Sequence, residues 1–451
     1  MTTGTAAPGE QALKEQRYRI LVTGYAISSY GTFLNMVALN LYVYAVTGRA
    51  LAVGVFMAVR LAAGFVAGLV AGTVLARCSA KGVMLWANVA QAAALLLLIL
   101  APDGLHTVSL FVVSAVVGFS GTVFMVALRS SIPDIVGDDR KTWANSFMVS
   151  GRSLAMVAGF ASSGVVVSLL GYTAAFLVDM ASFLVCALTV ALLPIALSPS
   201  GEAAANGAKD ADTEGRRRVL SRFTALGAAP ALALMVLLRG VDALGSSSHN
   251  AALPVYSTEI DADNPAVFVS VFWCVWALGN ILVQQVLQRY TKRTGRSVGA
   301  LGFGLGTIAM SGAFILAFAG LPWAATIAIA LLAGAADGLT EVSYTSHLQS
   351  LPGTVRTHAF GTSATVENLG FGVGMIVVAA ALDSFTALSV VGVAHGVAIA
   401  VALVFVVRVL RQRGTREVVS ASGRNSGSQK GADDAGPARG GRRDGAEVSG
   451  S

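Results

Sequence analysis

Apolar blocks of twenty or more residues recur along this chain, and that repetition constrains its fold more than any other feature. A helix needs roughly 20 mainly apolar residues to cross the hydrocarbon core of a bilayer. Twelve such blocks lie near 18–46, 51–76, 81–101, 107–127, 143–168, 172–197, 225–256, 265–288, 297–319, 321–343, 359–382 and 385–409. Only 12% of the residues are charged, about half the supply a soluble domain uses to cover itself. The sequence therefore predicts an all-α membrane protein of twelve transmembrane helices.

One long polar stretch, 198–224, interrupts the series with SPSGEAAANGAKDADTEGRRR. It is too polar to bury a core, and it reads as a cytoplasmic linker between an N-terminal six-helix bundle, 18–197, and a C-terminal one, 225–410. Residues 1–17 form a cytoplasmic N-terminal tail in this reading, and the Gly/Ser/Arg-rich residues 411–451 a disordered cytoplasmic tail. The first residues lack an apolar core ending in a small-residue cleavage site, so no cleaved signal peptide is expected. Cys78, Cys186 and Cys274 are scattered, form no CxxC, and read as small packing residues.

The net charge of +7 does not point to nucleic acid, because its placement has another cause. Arg60, Arg152 and Arg239 lie inside blocks, and Arg49 lies in the first loop. The other Lys and Arg residues sit in the tails, in the even-numbered loops or at block ends beside them, as with Arg77, Lys81, Arg140, Lys141 and Arg356. Odd loops carry acids instead, such as Glu259, Asp261 and Asp263. Basic residues favour the cytoplasmic side of a membrane. Both termini are thus expected inside, in the inner or plasma membrane of a bacterium.

The two halves resemble each other. GFSGTVFMVALRSSIP (118–133) faces GLTEVSYTSHLQSLP (338–352), and VALNLYVY (37–44) faces AALPVYST (251–258). Matches in the same order on both sides of the linker suggest two parallel, pseudo-symmetric six-helix repeats.

Six plus six helices around a central linker resemble the major facilitator superfamily. Residues 37–60, the loop ALRSSIPDIVGDDRKTWANSF (127–147) and AAFLVDMASFLVCAL (174–188) are similar to its drug-efflux branch, which includes macrolide exporters and the enterobactin exporter. The superfamily's loop after its second helix reads G-x-L-a-D-R-x-G-R-[RK]. Here Gly72, Arg77 and Lys81 keep the glycine and two cations, while Ala76 stands where the acid is usual. The corresponding loop of the second half keeps Arg293, Gly295 and Arg296, with Lys292 at the acid position. The resemblance marks Gly72, Arg77, Lys81 and Arg293 as candidates for a cytoplasmic gate, altered by the missing acid. In the fifth block Gly159 and Gly164 match the branch, and Phe160 replaces its usual proline.

Ionisable residues within a membrane are costly and are functional candidates by default. Arg60 and Arg152 each lie nine residues into a block, about 14 Å deep at 1.5 Å per residue, and so reach one level near the midplane. Arg239 and Asp242 share a helix face, as a neutralised pair or as a gating or coupling pair. Asp179 and Arg60 match residues common in the branch, which implies a structural charge network. Glu367 has no cation near it on its own helix. It is a candidate proton-coupling carboxylate, with a packed or cross-paired glutamate as the alternative. Asp337 and Glu341 share a face near the basic end of the tenth helix and read as an inner gate or a salt bridge.

His395 reads as peripheral packing. Ser28, Ser29, Asn35, Asn280, Gln284 and Gln285 either bind substrate or tie helices together. Gly64, Gly68 and Gly72 form a smooth face for close helix contact.

There is no GxxxxGK[ST] or HExxH, so an ATP-binding P-loop and a zinc protease are both excluded by motif. The chain is expected to be no enzyme and to need no cofactor beyond a proton gradient. It is expected to act as a monomer in lipid and to export amphiphilic small molecules. Uptake of a metabolite, or a non-transporting scaffold or sensor role, are the alternatives. Arginine outnumbers lysine 25 to 6, in keeping with a high-G+C bacterial source.

Overall fold

The computed structural model describes residues 8–194, 230–295, 298–351 and 353–433. The linker 198–224 and the last residues, 434–451, lie outside them. The helices are α1 (Pro8–Thr47), α2 (Ala50–Arg77), α3 (Ala80–Leu100), α4 (His106–Val136) and a long element, Lys141–Leu192. They continue with α7 (Pro230–Ile260), α8 (Pro265–Thr294), α9 (Gly299–Ala317), α10 (Trp323–Gln349), α11 (Gly353–Leu382) and α12 (Ala387–Asp433).

Eleven continuous helices thus stand where the sequence predicts twelve, and the difference lies at Gly171. Its φ of 82° and ψ of 173° break Lys141–Leu192 into two arms, called α5 (141–170) and α6 (172–192) below. A positive φ suits glycine, which has no Cβ to clash. The break lets 52 residues turn back at the membrane boundary.

Among the described residues, ten helices are long and apolar enough to cross a membrane, the 52-residue element among them. α7 is not one of the ten. Its run Arg239, Asp242, Ser246, Ser247, Ser248, His249 and Asn250 lowers its hydropathy, and Asp242, Ser247, Ser248 and His249 are buried against protein.

Two boundaries differ from expectation. α1 begins at Pro8, so much of the expected N-terminal tail is helix. Its first turns are too charged to read as membrane, yet they pack: Gln11 donates to the Val136 carbonyl (3.2 Å), Tyr18 to the Ala144 carbonyl (2.9 Å), and Glu15 pairs with Arg140 (3.0 Å). At the other end α12 runs on to Asp433, past residue 411, where the composition predicts a disordered tail. The i to i−4 ladder simply continues beyond the apolar block. Residues 1–405 form one compact unit and 406–451 a second.

Antiparallel neighbours put the loops at two opposite ends. One end carries Arg77, Lys81, Arg140, Lys141 and Arg289–Arg293 and is called the basic end; the other carries Glu259, Asp261, Asp263 and Asp383 and is called the acidic end. One apolar core lies toward the acidic end and draws on both halves, with Leu34, Phe56 and Phe160 meeting Phe272, Phe314 and Met375. A second core, including Tyr18, Leu75, Leu128, Met148 and Cys186, lies toward the basic end and comes from the first half alone. The halves are therefore fused at one end and separate at the other.

The two halves also pack alike. Gly118 on α4 lies against the backbone of Arg60 on α2, and Gly338 on α10 lies against the backbone of Asn280 on α8. These glycines are the first matched pair of the sequence repeat.

Candidate substrate cleft and charge cluster

Two helix pairs cross between the halves, α2 with α11 and α5 with α8. Near the acidic end both are tight. Gly54 on α2 abuts Met375 and Ala379 on α11, and Gly164 on α5 abuts Ala266 and Ser270 on α8. The Ser270 hydroxyl donates to the Phe160 carbonyl across the same interface. The Ala50 amide, at the start of α2, donates to Asp383 Oδ1 beyond the end of α11 (3.1 Å).

Toward the basic end both pairs diverge. A cleft of about 590 Å³ opens between α2, α4 and α11, lined by Arg60, Gly64, Gly68, Thr122, Thr365 and Asn368 among others. A second, of about 630 Å³, opens between α5 and α8 beside Ser146, Ser150, Ser153, Gln284 and Gln285. Gly64 contacts α4, but Gly68 and Gly72 have nothing within 4 Å of where a Cβ would stand. The expected smooth contact face is correct only at Gly64, because the helix opposite has moved away from the other two.

Arg60 also lines a smaller cavity inside the first half, about 210 Å³, together with Arg152, Ser28, Ser29, Thr32 and Gln91. The Arg152 guanidinium lies over the Phe33 ring, 5.2 Å from its centroid. Asp179 is buried and accepts hydrogen bonds from Asn35 Nδ2 (2.7 Å) and the Ser182 hydroxyl (3.3 Å). Asn35 thus ties α1 to α6, while Ser28 and Ser29 face the cavity.

The second half holds a different charge pattern. Arg239 on α7 donates from Nε to Glu367 Oε2 (3.1 Å) and from Nη2 to Glu367 Oε1 (2.9 Å) and Glu341 Oε2 (2.7 Å). Its ion pair with Asp242 is longer, 3.7 Å. The guanidinium also lies over Tyr344, 5.3 Å from the ring centroid, and the Tyr344 hydroxyl donates to Ser363 (2.6 Å).

Asp337 accepts from Asn280 (2.9 Å), whose own oxygen accepts from Gln284 (2.6 Å). Of the inner gate or salt bridge expected for Asp337 and Glu341, the structure shows a salt bridge from Glu341 to Arg239, which also holds Glu367 and Asp242. The Asp337–Asn280–Gln284 chain ends at the α5/α8 cleft. Glu367, which has no cation on its own helix, pairs with Arg239 from α7.

The expected gate residues are dispersed. Lys81 Nζ donates to the carbonyls of Ala191 (3.0 Å) and Leu193 (2.7 Å), capping α6 within its own half. Arg77 and Arg293 are exposed in the last turns of α2 and α8. Gly72 touches nothing.

Two features escaped the sequence. Asp383 sits in a short loop with no motif around it. His249 lies in a polar run and joins His395, which is fully buried rather than peripheral. His249 Nδ1 meets His395 Nε2 at 3.1 Å, His395 Nδ1 meets the Ser311 hydroxyl at 3.1 Å, and His249 stacks on Phe314 with centroids 3.5 Å apart. The repeat could have found it, because the match of 37–44 with 251–258 places His249 opposite Asn35.

Two six-helix repeats joined at one end and cleft at the other, with buried charge between, define a membrane carrier protein. The profile of the Major Facilitator Superfamily matches residues 21–375, and the chain belongs to that family. It is a multi-pass membrane protein.

Solved structures similar to it include the nucleoside transporter NupG (15% identity, 87% of this chain and 98% of that one, TM-score 0.66). A peptide transporter POT in complex with sulfate (13%, 88% and 94%, 0.64) and a bacterial homologue of the iron transporter ferroportin in an inward-facing state (13%, 87% and 98%, 0.65) are also similar. At such identities the likeness is one of fold. No curated protein matches the sequence.

Proposed function

We propose that this chain is a secondary active transporter that exports amphiphilic small molecules, driven by proton entry, through alternating access. The observation that carries the reading is the pairing of two clefts, closed at the acidic end and open at the basic end, with three carboxylates around Arg239. Rocking of two repeats about a midplane site is how such folds expose a site to each side in turn.

In this reading the basic end is cytoplasmic, as the distribution of Lys and Arg favours. The protein sits in a bacterial inner membrane with both termini inside and works as a monomer without cofactor or nucleic acid. Three acids share one guanidinium, so the cluster has more acceptor sites than one cation can satisfy. Protons taken up by Asp242, Asp337, Glu341 or Glu367 would balance it, and their release to the other side would couple the gradient to the rocking motion.

The test is efflux of a fluorescent amphiphile from cells or proteoliposomes containing the protein. Efflux that is lost when the proton gradient is collapsed, and lost again in Glu367→Gln, supports the reading. Efflux indifferent to the gradient removes proton coupling, and net accumulation in place of extrusion favours uptake symport. A non-transporting scaffold role draws on Ala76 and on Lys81, which caps its own half and does not reach across. It predicts no movement of any probe.

A further inference from the structure

The two halves carry opposite charges at equivalent positions. Gly159, seven residues after Arg152, packs on α1 at Tyr30 and Leu34, and Gly374, seven residues after Glu367, packs on α7 at Leu244 and Ser247. Arg152 and Glu367 therefore occupy matching places on α5 and α11. Arg60 and Asn280 match in the same way through Gly118 and Gly338. Where the second half offers an acid and an amide, the first offers two guanidinium groups.

These guanidinium groups differ from Arg239 in what surrounds them. Arg239 has three carboxylates within 4 Å. Among the described residues, neither Arg60 nor Arg152 forms an ion pair, and neither has a hydrogen-bonded partner. Asp179 is the acid whose field reaches Arg60, but its oxygens accept from Asn35 and Ser182.

A guanidinium carries five N–H donors and no acceptor, so both groups have donors free for a ligand, with Arg60 partly buried and Arg152 exposed. Both groups border one cavity of about 210 Å³ whose other polar lining includes the Ser28 and Ser29 hydroxyls and the Gln91 amide. That cavity shares Arg60, Val117 and Gly121 with the 590 Å³ cleft, which has Phe65 and Leu69 on its wall. A small donor-rich chamber thus adjoins a larger one that has room for an apolar group beside Phe65 and Leu69.

We propose that Arg60 and Arg152 bind an anionic group of the carboxylate, sulfonate or phosphate type, with the apolar part of the same molecule lying along the α2/α11 cleft. The transported compound is then an anionic or zwitterionic amphiphile, its cationic part, where it has one, facing Glu367 and Glu341. The inference rests on the cleft being the transport path. An anionic lipid headgroup has the same chemistry, and the experiment separates the two sources.

The full chain is placed in phosphatidylcholine nanodiscs and titrated with three probes that share one fluorophore: dansylglycine, its methyl ester, and dansylcadaverine. No gradient is applied. The carboxylate is expected to bind about tenfold more tightly than the ester or the ammonium, the scale of one or two charge-assisted hydrogen bonds. Arg60→Gln and Arg152→Gln each remove that advantage and leave ester binding unchanged, while Arg152→Lys keeps part of it.

Equal affinity for the three probes, or an advantage that survives both glutamine variants, overturns the proposal. Arg152 is exposed to the cavity, so its variant remains decisive if Arg60→Gln does not fold. Phosphatidylglycerol that displaces dansylglycine from the wild type, with the effect absent in Arg152→Gln, assigns the anion site to lipid and overturns the substrate assignment. No displacement supports it. A wild type that binds the three probes equally yet retains efflux sinks this inference alone, whereas anion binding without efflux sinks the transport reading alone.

Discussion

Asp383 and the amide of Ala50 are joined across the two halves of the protein, 3.1 Å apart and 333 residues distant in sequence. The first turn of a helix leaves its N–H groups without partners, and Arg49 at the N-cap of α2 supplies no side-chain bond. Asp383 acts as that cap from the other half. An acid at a helix N-terminus is worth about 1 kcal/mol, here present only while the acidic end is closed. Asp383→Ala should raise the population open at the acidic end by about fivefold. Spin labels on the first and eleventh helices would measure the change by pulsed distance spectroscopy. An unchanged distance distribution would show that the bond does not hold this end.

Glycines with similar sequence surroundings should respond in opposite ways. A Cβ on Gly118 or Gly338 would collide with helix backbone, which cannot yield as a side-chain tip can. Overpacking of this kind costs about 1–3 kcal/mol, so Gly118→Ala and Gly338→Ala should lower the melting temperature of the purified protein. Gly68→Ala meets nothing within 4 Å and should be neutral or stabilising by up to about 1 kcal/mol through helix propensity. Melting curves in detergent give all three signs.

The difference between Gly118 and Gly68 also shows what was legible in the chain. Both stand in apolar helices beside small residues, and only the distance to the neighbouring helix separates them. The spans were readable because a bilayer imposes length and hydropathy on each one separately. The first turns of α1 were not, because Glu15 and Arg140 stabilise them through a pairing that hydropathy does not register. That Arg60 and Arg152 reach one level, where they border one cavity, followed from residue counting. That Glu367 meets Arg239, and that Lys81 caps α6, depends on which helices become neighbours. Periodicity within one helix holds no record of that.

The His249–His395 pair makes a further prediction through the repeat. It joins α7 to α12 as Asn35 and Asp179 join α1 to α6, one polar bond per half at matched helices. His395→Leu would leave His249 Nδ1 and the Ser311 hydroxyl without the partner they now share. A buried polar group stranded in this way costs about 1–3 kcal/mol. The variant should melt earlier while keeping its affinity for the dansyl probes, because neither histidine lines the 590 Å³ or the 210 Å³ cavity. A loss of probe affinity at unchanged stability would move the pair from structure to binding.

The Arg239 network should show strong non-additivity. Arg239→Gln removes the one cation that Glu341, Glu367 and Asp242 share, and leaves their charges to repel one another. Breaking a buried pair from one side costs about 3–5 kcal/mol. The lower end applies here, because the Glu341 and Glu367 side chains keep 50% and 41% of their exposure. Glu367→Gln alone removes one acid from an acid-rich site and should cost far less. In the double variant Arg239→Gln/Glu367→Gln the remaining repulsion falls, so part of the loss should return, with a coupling energy of at least about 1 kcal/mol. Arg239→Lys should not restore the wild-type value, because an ammonium cannot hold both Glu367 oxygens while reaching Glu341. Urea or thermal unfolding of the four proteins in one detergent closes the cycle. Simple additivity would mean that Arg239 and Glu367 do not act on each other, despite lying 2.9 Å apart.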